Sequence, residues 1–393
     1  MANSNLGAAK KAKNDEFYTQ FNDIQKEIEA YLEYNPDTFR GKVVYCNCDD
    51  PFESNFFKYF VLNFKRLGLK RLITTSYKPS PVANTELILQ ASLIPEYEDI
   101  VISAPDTPKG RPKVTANRFI INEVGDINQD GAFTLQDIAE QLKANQHNEW
   151  QALKGDGDFR SPECIELLKQ ADIVVTNPPF SLFREYIKQL IDYDKKFVVI
   201  GNMNAIKYKE IFPQIQNNKL WIGATNFNTG MYFHVPDGFQ YASTYKFERI
   251  RDGMAVNRVP GVCWFTNLEH GRRHQPLGLM TTADNLKFNK KMAGKTAYDR
   301  YDNYDAIDVP FASAIPNDYA GVMGVPISFL DKYSPEQFEI IWQASGNTRA
   351  SAPKDVLERL KYQKNPEDRG GCTLINNKRT YDRIFIQHKK AAK

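Results

Sequence analysis

The chain has 393 residues, is 42% hydrophobic and 25% charged, and carries a formal net charge of +3. That length holds one large or two ordinary domains with real cores, and the charge is too small to announce a nucleic-acid binder by itself. No stretch approaches the roughly 18 apolar residues that span a bilayer, and the polar start lacks the apolar core of a secretory signal.

Five cysteines, Cys46, Cys48, Cys164, Cys263 and Cys372, are scattered without CxxC spacing. They predict neither a disulfide framework nor a zinc site, and a reducing cytoplasm fits them best.

In chain order, residues 1–13 read as a small, polar, basic tail. Ile24, Ile28, Tyr31 and Leu32 recur at helical spacing and predict an amphipathic helix that Asn35-Pro36 stops. Lys42 to Cys46 reads as a buried strand, followed by the Asp49-Asp50-Pro51 turn. A helix from Asn55 to Leu67 ends at Gly68, and Leu72 to Thr75 is the next strand. Strand, helix, strand is the order of a parallel βαβ unit. The segment from about Pro79 to Trp150 carries no clear period and reads as an insertion. Alternation then resumes with a helix at Pro162 to Gln170, a strand at Asp172 to Thr176, a helix at Leu182 to Ile191 and a strand at Phe197 to Gly201. Leu220 to Ile222 and Val262 to Phe265 suit later strands of the same sheet. Beyond Gly271 the pattern loosens and becomes rich in Tyr, Asp, Asn and Pro, which predicts a second domain.

The strongest chemical signal is Asn177-Pro178-Pro179-Phe180, placed directly between a β-branched strand and a helix. In open α/β sheets, ligands bind at the carboxyl ends of strands, where this turn falls. The two prolines fix φ and lack N–H donors, so the turn is stiff and offers carbonyl acceptors. An exocyclic aromatic amine is a poor nucleophile because its lone pair is delocalised into the ring. If Asn177 Oδ1 and the Pro178 carbonyl each accept one of its hydrogens, the lone pair turns out of the ring plane towards a sulfonium methyl. Catalysis of this kind is positioning and electrostatics, with no covalent enzyme intermediate. Phe180 would stack on a base flipped out of the duplex.

This tetrapeptide looks like motif IV of amino-methyltransferases. The run Lys13 to Gln20, with Tyr18 and Thr19, resembles the motif X that holds the methionine end of S-adenosylmethionine. Gly157-Asp158-Phe159 lies 19 residues before Asn177, counted from Asp158. In the resemblance, Asp158 accepts from the cofactor's adenine amino group and Phe159 contacts that ring. The stretch from Tyr45 to Phe56 occupies the cofactor-loop position, with Cys46, Asp50, Pro51 and Ser54 as its candidate ligands. It contains no glycine, a departure from the usual loop, although Ser54 can cap the following helix. The second strand ends Thr74-Thr75-Ser76 where an acidic ribose ligand is expected.

These segments together resemble the EcoRI-type adenine-specific DNA methyltransferases. The resemblance extends over residues 264–273, 306–341 and 378–386, and leaves 342–368 without a role. It implies an α/β, Rossmann-like methyltransferase fold, a mostly parallel sheet with helices on both faces. It also implies S-adenosylmethionine as methyl donor, duplex DNA as partner, and a cognate restriction endonuclease in the same system without a stable complex. Residues 14–270 then form the cofactor-binding catalytic domain and 271–393 the target-recognition region. Between Gly271 and Lys295, Arg272, Arg273, Lys287, Lys290, Lys291 and Lys295 face Asp284 alone, an excess able to neutralise phosphates. The same turn serves cytosine N4, RNA-base or protein-glutamine amines, and the glycine-free loop leaves open a non-catalytic DNA-binding relative.

Overall fold

A computed structural model describes residues 18–48, 54–77, 87–89, 100–102, 116–127, 133–144, 147–235, 239–251 and 253–389. The tail and the loop residues Asp50 and Pro51 lie outside that set. The chain divides into two compact units, residues 1–203 with 228–268, and residues 204–227 with 269–393.

The first unit is organised by seven strands in the order Val262–Thr266, Lys196–Asn202, Ile173–Thr176, Val43–Cys46, Arg71–Thr75, Asn117–Ile121 and Glu149–Ala152. The central four are parallel, and every residue of Val43–Cys46 and Ile173–Thr176 is buried. Runs buried on both faces are what the unbroken Val/Ile patterns require. The flanking pairs are antiparallel. The sheet is therefore mixed, where the sequence suggested a mostly parallel one. The difference comes from Val262–Thr266 on one side and, on the other, from the unassigned insertion, which supplies Asn117–Ile121 and Glu149–Ala152 with the helix Leu135–Ala144 between them.

The helix Asn55–Leu62 buries Phe56, Phe57, Tyr59 and Phe60 almost completely. Phe56 meets Trp264 edge-on at 6.2 Å, and Phe57 meets Phe119 at 5.8 Å. Each such ring contributes about 1.5–3 kcal/mol through burial. The predicted single helix to Leu67 is interrupted at Asn63, whose side-chain amide donates to the Tyr59 carbonyl at 2.8 Å. A short turn Phe64–Leu67 follows and closes on Gly68 at φ +62°. The first helix, Phe21–Tyr34, lays Ile24, Ile28 and Tyr31 into the same core.

A separate four-stranded antiparallel sheet in this unit runs Tyr18–Thr19, Met231–His234, Met254–Val259, Ile250–Arg251.

The second unit holds a sheet ordered Ala306–Asp308, Val322–Pro326, Arg383–His388, Phe338–Ala344. Its buried Arg383 donates to Asp308 at 2.8 Å, and Phe329, Phe338 and Trp342 fill its core. Residues 204–227 join this unit, whereas the sequence divided the chain once near residue 270. Gln216 Nε2 donates to the Ile341 carbonyl at 2.6 Å, Gln343 Nε2 to Lys207 at 3.1 Å, and Lys207 pairs with Asp382 at 2.6 Å. Such long-range polar contacts leave no periodic trace in sequence.

Candidate active site

The first strand, Val43–Cys46, is flanked by Arg71–Thr75 on one side and Ile173–Thr176 on the other. The strand order reverses there, and a crevice opens at the carboxyl ends on either side of such a reversal. Cys46-Asn47 and Thr176-Asn177 leave the sheet at adjacent positions. The Thr176 hydroxyl donates to the Asn47 backbone carbonyl, and the Tyr186 phenol donates to Asn47 Oδ1. Tyr186 is fully buried, and that burial pushes its phenol well above the ordinary range, so it stays a donor.

The turn itself follows from its composition. Asn177 is half-buried with its Oδ1 shielded from water, and Pro178 is buried. Pro179 sits at φ −55° and ψ 121°, and its carbonyl accepts the Leu182 N–H at 3.0 Å. Pro178 accepts no such backbone hydrogen bond among the described residues. Phe180 opens the short helix Phe180–Leu182 and packs against the main core while remaining half-exposed. The helix Phe183–Asp192 is anchored by Phe183, 5.0 Å from the Phe265 ring.

Gly157-Asp158-Phe159 is fixed beside the end of the second strand. Gly157 has φ +78°, and a Cβ on it would stand 1.9 Å from the Ser76 carbonyl oxygen. Phe159 is buried and meets Tyr186 edge-on at 5.0 Å. The Asp158 carboxylate accepts from Arg160 at 2.7 and 2.9 Å, and that guanidinium holds it below the usual carboxylate range. Arg160 also reaches Glu185 at 2.9 Å.

Thr19 stands at the other side of the helix start: Asn55 Nδ2 donates to its carbonyl at 2.8 Å. Its own hydroxyl is buried and makes no hydrogen bond among the described residues. Tyr18 is placed by backbone pairing with His234. Ser54 caps Asn55–Leu62, accepting from Phe56 N at 3.1 Å and Phe57 N at 3.4 Å, so the glycine-free loop still runs into an ordered helix N-terminus. Cys46 is buried at the strand end. The residues present suit a ligand with polar ends: an orphaned hydroxyl at Thr19, and at Gly157 a backbone approach that excludes any side chain.

The sequence missed Asn47 and Tyr186. Tyr186 lies on the stripe Phe183, Tyr186, Ile187, Leu190, which by itself signals only a core-facing helix.

The predicted basic cluster separates by environment. Arg273 is 6% exposed, pairs with Glu269 at 3.2 Å, stacks over Trp221 at 4.0 Å and donates to Asn218 at 3.0 Å. Arg272 binds Asp331 at 2.7 Å and the Ala224 carbonyl at 2.8 Å. Lys295 is half-buried and paired with Asp299. Lys287, Lys290 and Lys291 are exposed, with Lys287 over Phe288 at 4.9 Å and Lys291 over Phe311 at 4.4 Å. No helix among the described residues is long and apolar enough to cross a membrane.

An α/β sheet whose strand order reverses at Val43–Cys46, with an Asn-Pro-Pro-Phe turn at the end of the neighbouring strand, is consistent with a methyltransferase fold. The chain belongs to the family described as adenine-specific methyltransferase EcoRI, which matches residues 5–389, and is thus an adenine-specific DNA methyltransferase. It is 41% identical over 395 residues to the type II methyltransferase M.EcoRI of Escherichia coli, covering 100% of this chain and 98% of that one. It is 34% identical to the type II methyltransferase M.MpnI of Mycoplasma pneumoniae, over 97% of each chain. It is 35% identical to M.MgeORF184P of Mycoplasma genitalium, over 96% of this chain and 97% of that one. No solved structure gives a significant match.

Proposed function

We propose that the chain transfers a methyl group from S-adenosylmethionine to N6 of an adenine flipped out of duplex DNA, within a bacterial restriction–modification system. The observation that carries this reading is the position of Asn177-Pro178 directly after the strand Ile173–Thr176, whose neighbour Val43–Cys46 ends beside it at Asn47.

S-adenosylmethionine, when bound, supplies an electrophilic sulfonium methyl. Tyr18, Thr19, Cys46 and Ser54, with Asp50 and Pro51 of the intervening loop, would hold its methionine end. Asp158 and Phe159 would hold its adenine. Asn177 Oδ1 and the Pro178 carbonyl accept the two N–H groups of the target amine and turn its lone pair out of the ring plane. The same two oxygens keep their hydrogen bonds to the nitrogen as it is methylated, and the surplus proton passes to water, since neither carbonyl is a base. Phe180 stacks on the flipped base and replaces part of the stacking lost from the duplex. Lys287, Lys290 and Lys291 contact phosphates, while Arg272 and Arg273 brace the second unit from within. Sequence choice belongs to residues from about 269 onward.

The test is incubation with labelled S-adenosylmethionine and duplex DNA, followed by nucleoside analysis. N6-methyladenine is the expected product. Asn177→Ala should lower turnover by about 10²–10³, the scale of losing one such hydrogen-bonding group, while still binding cofactor. An active Asn177→Ala protein, or N4-methylcytosine as product, overturns the reading.

A further inference from the structure

The antiparallel sheet that contains Tyr18–Thr19 has two unlike faces. Met231 and Phe233 point one way and are buried in the main core. Tyr232 pairs with Arg258 and Met254 with Arg251, so these side chains share the opposite face. On that face Arg251 lies over Tyr232 at 3.9 Å and Arg258 over Phe247 at 4.3 Å. Arg249 lies over Tyr241 at 4.9 Å. The rings form a chain in which Tyr241 meets Tyr245 at 5.0 Å and Tyr245 meets Phe247 at 5.7 Å. Tyr241 is tied to the carbonyls of Arg249 and Val256 at 3.1 and 3.0 Å, and Tyr245 accepts the Arg258 N–H at 2.8 Å.

A solvated face intersperses carboxylates with lysines. Here Glu248 provides the carboxylate found in the described ion pairs of this face, and it pairs with Arg251. Arg249 is exposed, and its guanidinium donates to no described residue. Planar guanidiniums held over rings keep their forks in fixed orientation, which favours bidentate phosphate contacts and lowers the entropy lost on binding. Position matters as well. Arg251 reaches Gln20 at 3.5 Å, next to Thr19, so the face adjoins the segment assigned to the cofactor pocket.

We propose that this arginine–aromatic face is a second DNA-contact surface, carried by the catalytic unit. It would hold the phosphate backbone of the substrate duplex beside the flipped base, with Arg249 as its outward phosphate contact. The inference rests on the reading of the chain as a duplex-DNA enzyme and adds to it a surface far in sequence from the lysines at 287–291.

The test measures binding of full-length protein to a fluorescently labelled mixed-sequence duplex over a range of salt concentrations, with S-adenosylmethionine affinity measured in parallel. Arg249→Gln should reduce the slope of log Kd against log salt by about 0.9, the value for one lost phosphate contact. Arg249→Glu should weaken binding further, and cofactor affinity should stay unchanged in both. If the wild type binds with a normal salt slope and both variants match it, this surface is excluded while the enzyme reading stands. A wild type without salt-dependent DNA binding overturns both. A change of oligomeric state with unaltered DNA affinity overturns this proposal alone.

Discussion

The phenol of Tyr186 donates to Oδ1 of Asn47, joining the helix after the Asn-Pro-Pro-Phe turn to the end of the first strand. Both residues are buried, at 0% and 4% exposure, so neither has water as a substitute partner. Tyr186→Phe should leave Asn47 Oδ1 buried without this donor, at a cost of about 1–3 kcal/mol. A urea midpoint equal to that of the wild type would show that the bond does not set the crevice.

Gly157 is required by its close approach to Ser76 as well as by its positive φ. Gly157→Ala should displace the Asp158-Phe159 loop and cost about 1–3 kcal/mol. Calorimetry should then show weakened S-adenosylmethionine binding. Gly155→Ala is the control, since nothing lies within 4 Å of a Cβ there. Equal effects of the two substitutions would remove the special role of Gly157.

The basic residues beyond 270 should separate into contacts and braces. Replacing Lys287, Lys290 and Lys291 together by glutamine should lower the salt slope of DNA binding by about 2–3, near 0.9 per phosphate. Arg273→Gln should instead lower the urea midpoint and leave that slope as it is, because its guanidinium is enclosed by Glu269, Trp221 and Asn218. The opposite pattern would exchange their roles.

Stability of the second unit should fall in mild acid through His270. Its burial, reinforced by the nearby charge of Arg273, pushes the imidazole down to about 4, while Nε2 faces the Ile222 carbonyl at 3.0 Å. The folded value lies below the unfolded value of about 6.5, so the unfolded chain binds the extra proton between them. Stability is therefore complete above about pH 6.5 and declines as pH falls towards about 4, by on the order of 3 kcal/mol. His274 acts in the other direction. Burial lowers its value, but hydrogen bonds to Glu336 and Glu269 outweigh that and raise it, so its stabilisation is lost as pH rises. Urea midpoints measured across this range should fall less steeply for His270→Gln than for the wild type. Parallel curves would remove His270 as the cause.

The sequence alone singled out the Asn177 to Phe180 turn and determined the strand–helix alternation around it. Those features are local: β-branched runs, proline stiffness and helical stripes need no distant partner to be read. The helix Pro162–Gln170 falls where its pattern placed it, with Ser161 as cap. Only the tertiary structure decided that the insertion adds antiparallel strands, that residues 204–227 join the C-terminal unit, and that Arg273 lies inside. Each of those outcomes depends on pairing between residues far apart in the chain, where ladder bonds and buried ion pairs outweigh local preference. The same holds at the strand ends, because only the parallel pairing of Val43–Cys46 with Ile173–Thr176 brings Asn47 and Asn177 to the same edge of the sheet.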